Sequence, residues 1–285
     1  MGGRRAGVGV LGIALIAGVL FATPSQAEPV STDGVVMVEP TGRWHIRLPG
    51  HADYTFTYGQ PGDIPLLGDW DGDGIDTPGV YRPAWGAAHL TNTIPELGST
   101  ETAPEVSFFF GLPGDRVFAG DWDGDGIDTL GLSRRGQVFL AGSNSTSIAE
   151  QVFWFGTHAD IPYAGDPDGN GTDGLFLHRT SSSSVFYTND PTERVVALSS
   201  GSLYFGAAGD RLIVGDWDGD GADSPGVFRP FTTSVHLHDF LWTGTGRKSF
   251  LFGRRSWQAL AGNTHLHVPP TGRIAPLTGL TGGCL

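Results

Sequence analysis

An acidic loop recurs four times in this 285-residue chain. GDWDGDG spans residues 68–74 and 120–126 without change, returns at 215–221, and has a looser copy, GDPDGNG, at 165–171. Carboxylates stand at positions 1, 3, 5 and 8 of each full loop, counted from its first aspartate. Glycine at positions 4 and 6 lets the backbone turn sharply. Alternating carboxylates can converge on one centre, and Ca²⁺ takes about 6–8 oxygens from carboxylates, carbonyls and water. The candidate ligands are Asp69, Asp71, Asp73 and Asp76; Asp121, Asp123, Asp125 and Asp128; Asp166, Asp168, Asn170 and Asp173; and Asp216, Asp218, Asp220 and Asp223. About four Ca²⁺ ions are therefore expected, with the loop carrying neutral Asn170 the weakest. The competing reading is a set of Asx turns with no ion. Repulsion among close carboxylates, repeated four times, favours the cation.

The elements that carry these loops repeat as well. The loops begin at Asp69, Asp121, Asp166 and Asp216, steps of 52, 45 and 50 residues, a period that marks an array or a propeller. Aromatic runs ending in glycine come before each loop: FTYG at 56–59, FFFG at 108–111, FWFG at 153–156 and LYFG at 203–206, with a fifth, FLFG, at 250–253. Each unit reads as four short strands. The first runs into the loop (IPLLGD, RLIVGD), the second follows it (PGVYR, PGVFR), the third alternates (VHLHDF), and the fourth is aromatic. Outside the N-terminus, no window has a helical period.

The chain ends set the blade number. VVMVE (35–39), WHIRL (44–48) and FTYG resemble strands two, three and four with no strand one before them. WQALAG (257–262) is a strand one with nothing after it. Together they make a fifth blade, which hides the open sheet edges. The expected fold is all-β, a β-propeller of about five four-stranded blades closed between N- and C-terminal strands. An open or partner-completed array is the alternative.

These units resemble the FG-GAP repeats of integrin α-subunit propellers and the VCBS-type repeats of secreted bacterial proteins. The shared features are the aromatic-glycine strand, the apolar run ending in Gly-Asp and the D-x-D-x-D-G loop, over most of residues 34–264. The resemblance implies calcium binding and a role in adhesion or recognition, although bacterial copies also accompany enzymes. Two features depart from it. The last loop carboxylate stands at position 8 rather than 9, which sets Asp76, Asp128, Asp173 and Asp223 apart. Integrin-type propellers have seven blades, and this chain has sequence for five.

Composition agrees with export. MGGRR, an apolar Gly-rich run from Ala6 to Ala22 and TPSQA form a signal peptide over residues 1–27, cleaved after Ala27, with a retained anchor as the alternative. The calcium-binding propeller is expected over 28–264 and a Pro/Gly-rich tail over 265–285. Net charge is −13, and Arg4 and Arg5 are the only charges of the leader, so cleavage leaves −15. Half of the thirty acidic residues lie in the loops, and this charge argues against nucleic acid as a partner. No internal disulfide is possible, because Cys284 is the only cysteine. His236 with His238, and His265 with His267, are spaced to share strand faces. Zinc would need further converging ligands, so packing or surface roles are expected.

Trp70, Trp122 and Trp217 sit at loop position 2, where sugar stacking and blade packing compete; their recurrence favours packing. The irregular segments suit recognition better: Trp85 with its flanks, residues 93–104, and residues 181–184. A last pattern links Asp63, Asp115, Asp160 and Asp210 to Arg82, Arg134, Arg179 and Arg229 as repeated ion pairs, with capping turns and solvent-facing arginines as the plainer reading. In the split blade Trp257 takes the acid's place and Glu39 falls near the arginine's. The expected function is a secreted, monomeric, calcium-stabilised module that recognises a glycan or protein ligand, without a membrane once the leader is cut. An extracellular hydrolase using the rim or central pocket is the alternative, and a purely structural repeat a third.

Overall fold

Glycine-bounded, β-branched and aromatic runs of four to six residues form the strands. The structure is a computed structural model describing residues 32–48, 50–145, 148–189 and 196–266. The expected leader, most of the tail, His267 and Cys284 lie outside the described residues.

Among the described residues, twenty strands form five antiparallel sheets of four. Blade 2 holds β4 (Ile64–Gly68), β5 (Thr77–Arg82), β6 (Ala87–Leu90) and β7 (Val106–Phe109). Blade 3 holds β8 (Arg116–Gly120), β9 (Thr129–Arg134), β10 (Gln137–Leu140) and β11 (Gln151–Trp154). Blade 4 holds β12 (Ile161–Gly165), β13 (Gly174–Arg179), β14 (Ser184–Thr188) and β15 (Gly201–Tyr204). Blade 5 holds β16 (Arg211–Gly215), β17 (Ser224–Arg229), β18 (Ser234–Leu237) and β19 (Lys248–Leu251).

Blade 1 is split. β1 (Gly34–Val38), β2 (Arg43–Ile46) and β3 (Tyr54–Thr57) are completed by β20 (Gln258–Gly262), which pairs with β1 from Gly34↔Gly262 to Val38↔Gln258. The first strands of successive blades are neighbours all the way round: β20, β4, β8, β12, β16 and back to β20. The ring is a closed five-bladed β-propeller. Strand three of blade 5 is shorter than VHLHDF suggested. It ends at Leu237, and beyond it Phe240 and Trp242 stack at 3.8 Å.

Packing follows the ring. Each of five apolar clusters joins two consecutive blades; the one centred on Trp44, Tyr54 and Phe56, for example, takes in Val80 of β5. The inner strands surround an axial cavity of about 490 Å³ lined by residues such as Leu67, Val117, Tyr163, Val214 and Leu260. Every loop aspartate stands at one end of these inner strands, because the loop is the turn from strand one to strand two.

Candidate metal centre

The first aspartate of each loop organises the turn. Asp69 Oδ1 accepts the N–H groups of Asp71 (3.3 Å), Gly72 (2.7 Å) and Asp73 (3.2 Å), and its Oδ2 accepts that of Gly74 (2.7 Å). Asp121 repeats all four bonds, and Asp166 and Asp216 repeat three each. Asp73, Asp125 and Asp220 each accept the N–H two residues on. The turns are thus Asx-type structures whatever occupies them.

Within that frame the acids at positions 1, 3 and 5 converge. Asp69, Asp71 and Asp73 each place a ligand oxygen within 4.8 Å of the others; so do Asp121, Asp123 and Asp125, and Asp216, Asp218 and Asp220. Burial and the charge of neighbouring aspartates push the Asp71, Asp123 and Asp218 carboxyls above the ordinary value. The donors are hard oxygens on partly exposed loops where water can fill further positions, which fits a hard divalent cation. The loop of Asp166 and Asp168 differs. Asn170 supplies no carboxylate, and Asn189 Nδ2 donates to Asp168 Oδ2 at 2.6 Å.

The acids at position 8 are not brought into these groups. Asp76, Asp128, Asp173 and Asp223 each stand immediately before strand two and turn toward the neighbouring blade. Asp128 Oδ2 accepts the Asp69 N–H (2.9 Å), Asp173 Oδ2 that of Asp121 (2.9 Å), and Asp223 Oδ2 that of Asp166 (2.9 Å). Asp76 Oδ2 accepts the Asn263 N–H at 2.7 Å, and a fifth acid, Asp33, accepts the Asp216 N–H at 3.0 Å. The main chains reciprocate: the N–H of each of the five donates to the carbonyl of the same partner residue at 2.6–2.9 Å.

This five-membered ring of paired bonds staples every blade to the next. Burial drives these carboxyls upward, and their mutual charge adds to it: Asp33 to about 6, Asp128 to about 7, and Asp76, Asp173 and Asp223 well above the ordinary range. Each carboxylate occupies the space a side chain would need at the glycine before the partner residue. A Cβ on Gly68, Gly120 or Gly262 would lie 2.6, 2.4 or 2.3 Å from an Oδ2 of the ring.

The paired acids and arginines meet as expected, at the outer end of strand two. Arg82 grips Asp63 through Nε and Nη2, both at 2.9 Å. Arg134–Asp115 (2.6 and 2.6 Å), Arg179–Asp160 (2.8 and 2.8 Å) and Arg229–Asp210 (2.9 and 2.8 Å) repeat the geometry. Each acid also accepts the N–H three residues earlier, so it caps a turn as well. Burial raises Asp160, but the bonds from Arg179 and Thr157 outweigh it and hold the carboxyl below the ordinary value. In blade 1 His45 bonds Glu39 at 2.8 Å and stacks on Trp257 at 4.2 Å, replacing both members of the pair.

No family model matches the chain, and no curated protein matches it. Among solved structures it is similar to BBS1N in complex with ARL6DN, in crystals soaked with mercury (10% identity, 74% of this chain and 59% of that one, TM-score 0.37) and with lead (10%, 74% and 61%, TM-score 0.38). It is also similar to an Agrocybe aegerita lectin that specifically recognises non-reducing terminal N-acetylglucosamine (14%, 72% and 58%, TM-score 0.39). The chain spans about three fifths of the length of each. The fold rests on the strand pairings described above and not on these likenesses.

Asp33 was missed from the sequence. Its signal was position, since an aspartate stands directly before strand two in all five blades, and STDG at 31–34 supplies the one for blade 1. Trp70, Trp122 and Trp217 are 5–7% exposed, as packing requires. Residues 93–104 lie along the preceding blade: Ile94 is buried, and Ser99 and Thr55 accept N–H groups across the edge of β3. Trp85 is exposed over Arg82, and the 181–184 turn buries Ser184. His236 bonds Ser234 and Ser249, His238 bonds the Trp242 carbonyl, and His265 bonds Asn263.

Proposed function

We propose that this protein is a secreted, calcium-stabilised propeller that acts, as a monomer, in recognising a glycan or a protein. The observation that carries the reading is the triad repeated in three blades, each with three carboxylate oxygens within 4.8 Å. Calcium bound there would offset two of the triad's three negative charges and tie loop positions 1, 3 and 5 together. Asp69, Asp71 and Asp73, with their counterparts in blades 3 and 5, would hold it. The loop with Asn170 would bind more weakly or not at all. The leader-like N-terminus and the resemblance to FG-GAP and VCBS repeats support placement outside the cell, where calcium is abundant enough for modest sites. A net charge of −13 weighs against nucleic acid.

The test has two parts. Melting the purified protein with excess calcium and with EDTA should give a higher transition with calcium, by roughly 2.7 kcal/mol per site at about a hundredfold excess over Kd. Glycan and protein arrays probed with the calcium-loaded protein should then give discrete binding. An unchanged melt, together with silent arrays, would reject the proposal.

A further inference from the structure

The axial cavity of about 490 Å³ has two unlike ends. Its wall stops short of Gly68, Gly120, Gly165, Gly215 and Gly262, the last residues of the five inner strands. There the ring carboxylates fill the space: a Cβ on any of these glycines would lie 2.3–2.8 Å from an Oδ2. At the other end the exposed Arg211, Ser256 and Gln258 line the mouth. The cavity is a blind pocket that opens where the inner strands begin. Its wall is apolar. Leu67, Val117, Ala164, Val214 and Leu260 lie on the innermost strands yet are only half-buried, because the surface they leave uncovered faces the cavity. A ligand with polar groups along its length would lose hydrogen bonds there.

The charged groups gather at the mouth. Arg211 Nη1 donates to the Trp257 carbonyl at 2.7 Å, and Arg116 Nη1 donates to the Asp160 carbonyl, so each guanidinium reaches across to the next blade. A guanidinium carries several donors, and these single bonds leave others for an anion. Tyr163, on the wall of the cavity, belongs to blade 4, between the blades of Arg116 and Arg211. Burial pushes its hydroxyl up to about 12, and the charges of Arg211 and Arg116 pull the other way, so both lie within electrostatic reach of it. The acids at this end are already engaged: Asp63, Asp115, Asp160 and Asp210 by their arginines, and Glu39 by His45. Arg254 and Arg255 stand in the turn before Ser256, and among the described residues no acid pairs with them, with Arg116 or with Arg211. The acidic loops lie at the opposite end of the inner strands. A chain of net charge −13 therefore presents a cationic entrance to an apolar pocket.

We propose that this cavity binds one unbranched fatty acid, with its tail inward and its carboxylate at the arginine mouth. The volume lies in the range of small-molecule pockets, and an apolar wall with a few polar groups at one end is the arrangement that orients an amphipathic ligand. Arg211 would hold the carboxylate through a charge-assisted bond, with the Tyr163 hydroxyl and Arg116 beside it. The acid ring at the closed end repels an anion, so the ligand enters in one orientation. This site is separate from any glycan or protein contact on the outer surface and stands or falls without it.

The test titrates acetate, octanoate and decanoate, at concentrations where each is monomeric, against the full chain by calorimetry. Arg211→Met, Val214→Phe and Arg255→Met are run beside wild type. Wild type should bind about one decanoate per chain, roughly tenfold more tightly than octanoate, since two further methylenes are buried, and acetate should not bind. R211M should weaken decanoate by about tenfold or more. V214F, which fills the cavity, should abolish binding. R255M, at the same end of the propeller but not on the wall, should change it by no more than about twofold. Melts report whether V214F is folded; if it is not, the dependence on chain length and the contrast of R211M with R255M decide the matter. No decanoate bound by wild type, equal affinity for octanoate and decanoate, or equal weakening by R211M and R255M would overturn the site, the last by reducing it to surface ion pairing.

Discussion

Each loop carries two kinds of carboxylate a few residues apart. In three of the four loops those at positions 1, 3 and 5 sit on a partly exposed turn and converge on one another. The one at position 8 enters the next blade junction and accepts a backbone N–H from across it. The contrast shows that an acidic repeat need not be one site. Three acids form a surface group open to a cation. The fourth belongs to a five-membered ring that holds the propeller together, and that ring includes the split blade, which has no such loop.

Variants can separate the two roles. The largest effect is expected from Gly120→Ala, whose Cβ would meet Asp173 Oδ2 at 2.4 Å and Ala164 Cβ at 2.6 Å, costing about 3 kcal/mol or more by denaturant melts. Gly74→Ala, on the triad side, has open space around it and a φ of +83°, so it should cost only about 1–2 kcal/mol. Next, Asp128→Ala should lose about 1–3 kcal/mol, because it strands the Asp69 N–H at a blade junction. Asp71→Ala should be nearly silent in EDTA. If both aspartate variants behave alike, the division fails.

The ring also predicts a pH dependence. Asp33 and Asp128 have folded values raised to about 6 and about 7 from 3.8. Such groups favour the fold in their protonated form. Their contribution is complete below about pH 4 and is lost as pH rises through about 6–7. Asp128→Asn keeps an acceptor without the charge. In EDTA its stability relative to wild type should rise by on the order of 1–2 kcal/mol between pH 4 and 8. A constant difference across that range would place the charge elsewhere. An effect of similar size, about 1–2 kcal/mol of coupling, is expected from a double-mutant cycle on Asp115 and Arg134, against about 0.5 or less for the more exposed Asp239–Arg247 pair at 3.8 Å.

The architecture was legible because the repeat states it several times. The aromatic-glycine strands, the apolar run into each loop and the unmatched strands at the two ends specify five blades and their closure. The acid–arginine pairs were legible for the same reason, and their joint loss in blade 1 pointed to pairing. The site was read less well. Asp76, Asp128, Asp173 and Asp223 look like ligands because they are acidic and near the triads, yet spacing along the chain does not encode which blade a side chain enters. Asp33 lacked the motif altogether.

Calcium stoichiometry tests the central claim most directly. Calorimetric titration of metal-free protein should find about three ions per chain, one for each triad. Asp71→Ala, Asp123→Ala and Asp218→Ala should each remove one, and Asp128→Asn should remove none. A count unaffected by the triad variants, or lowered by Asp128→Asn, would contradict the assignment of the two kinds of carboxylate.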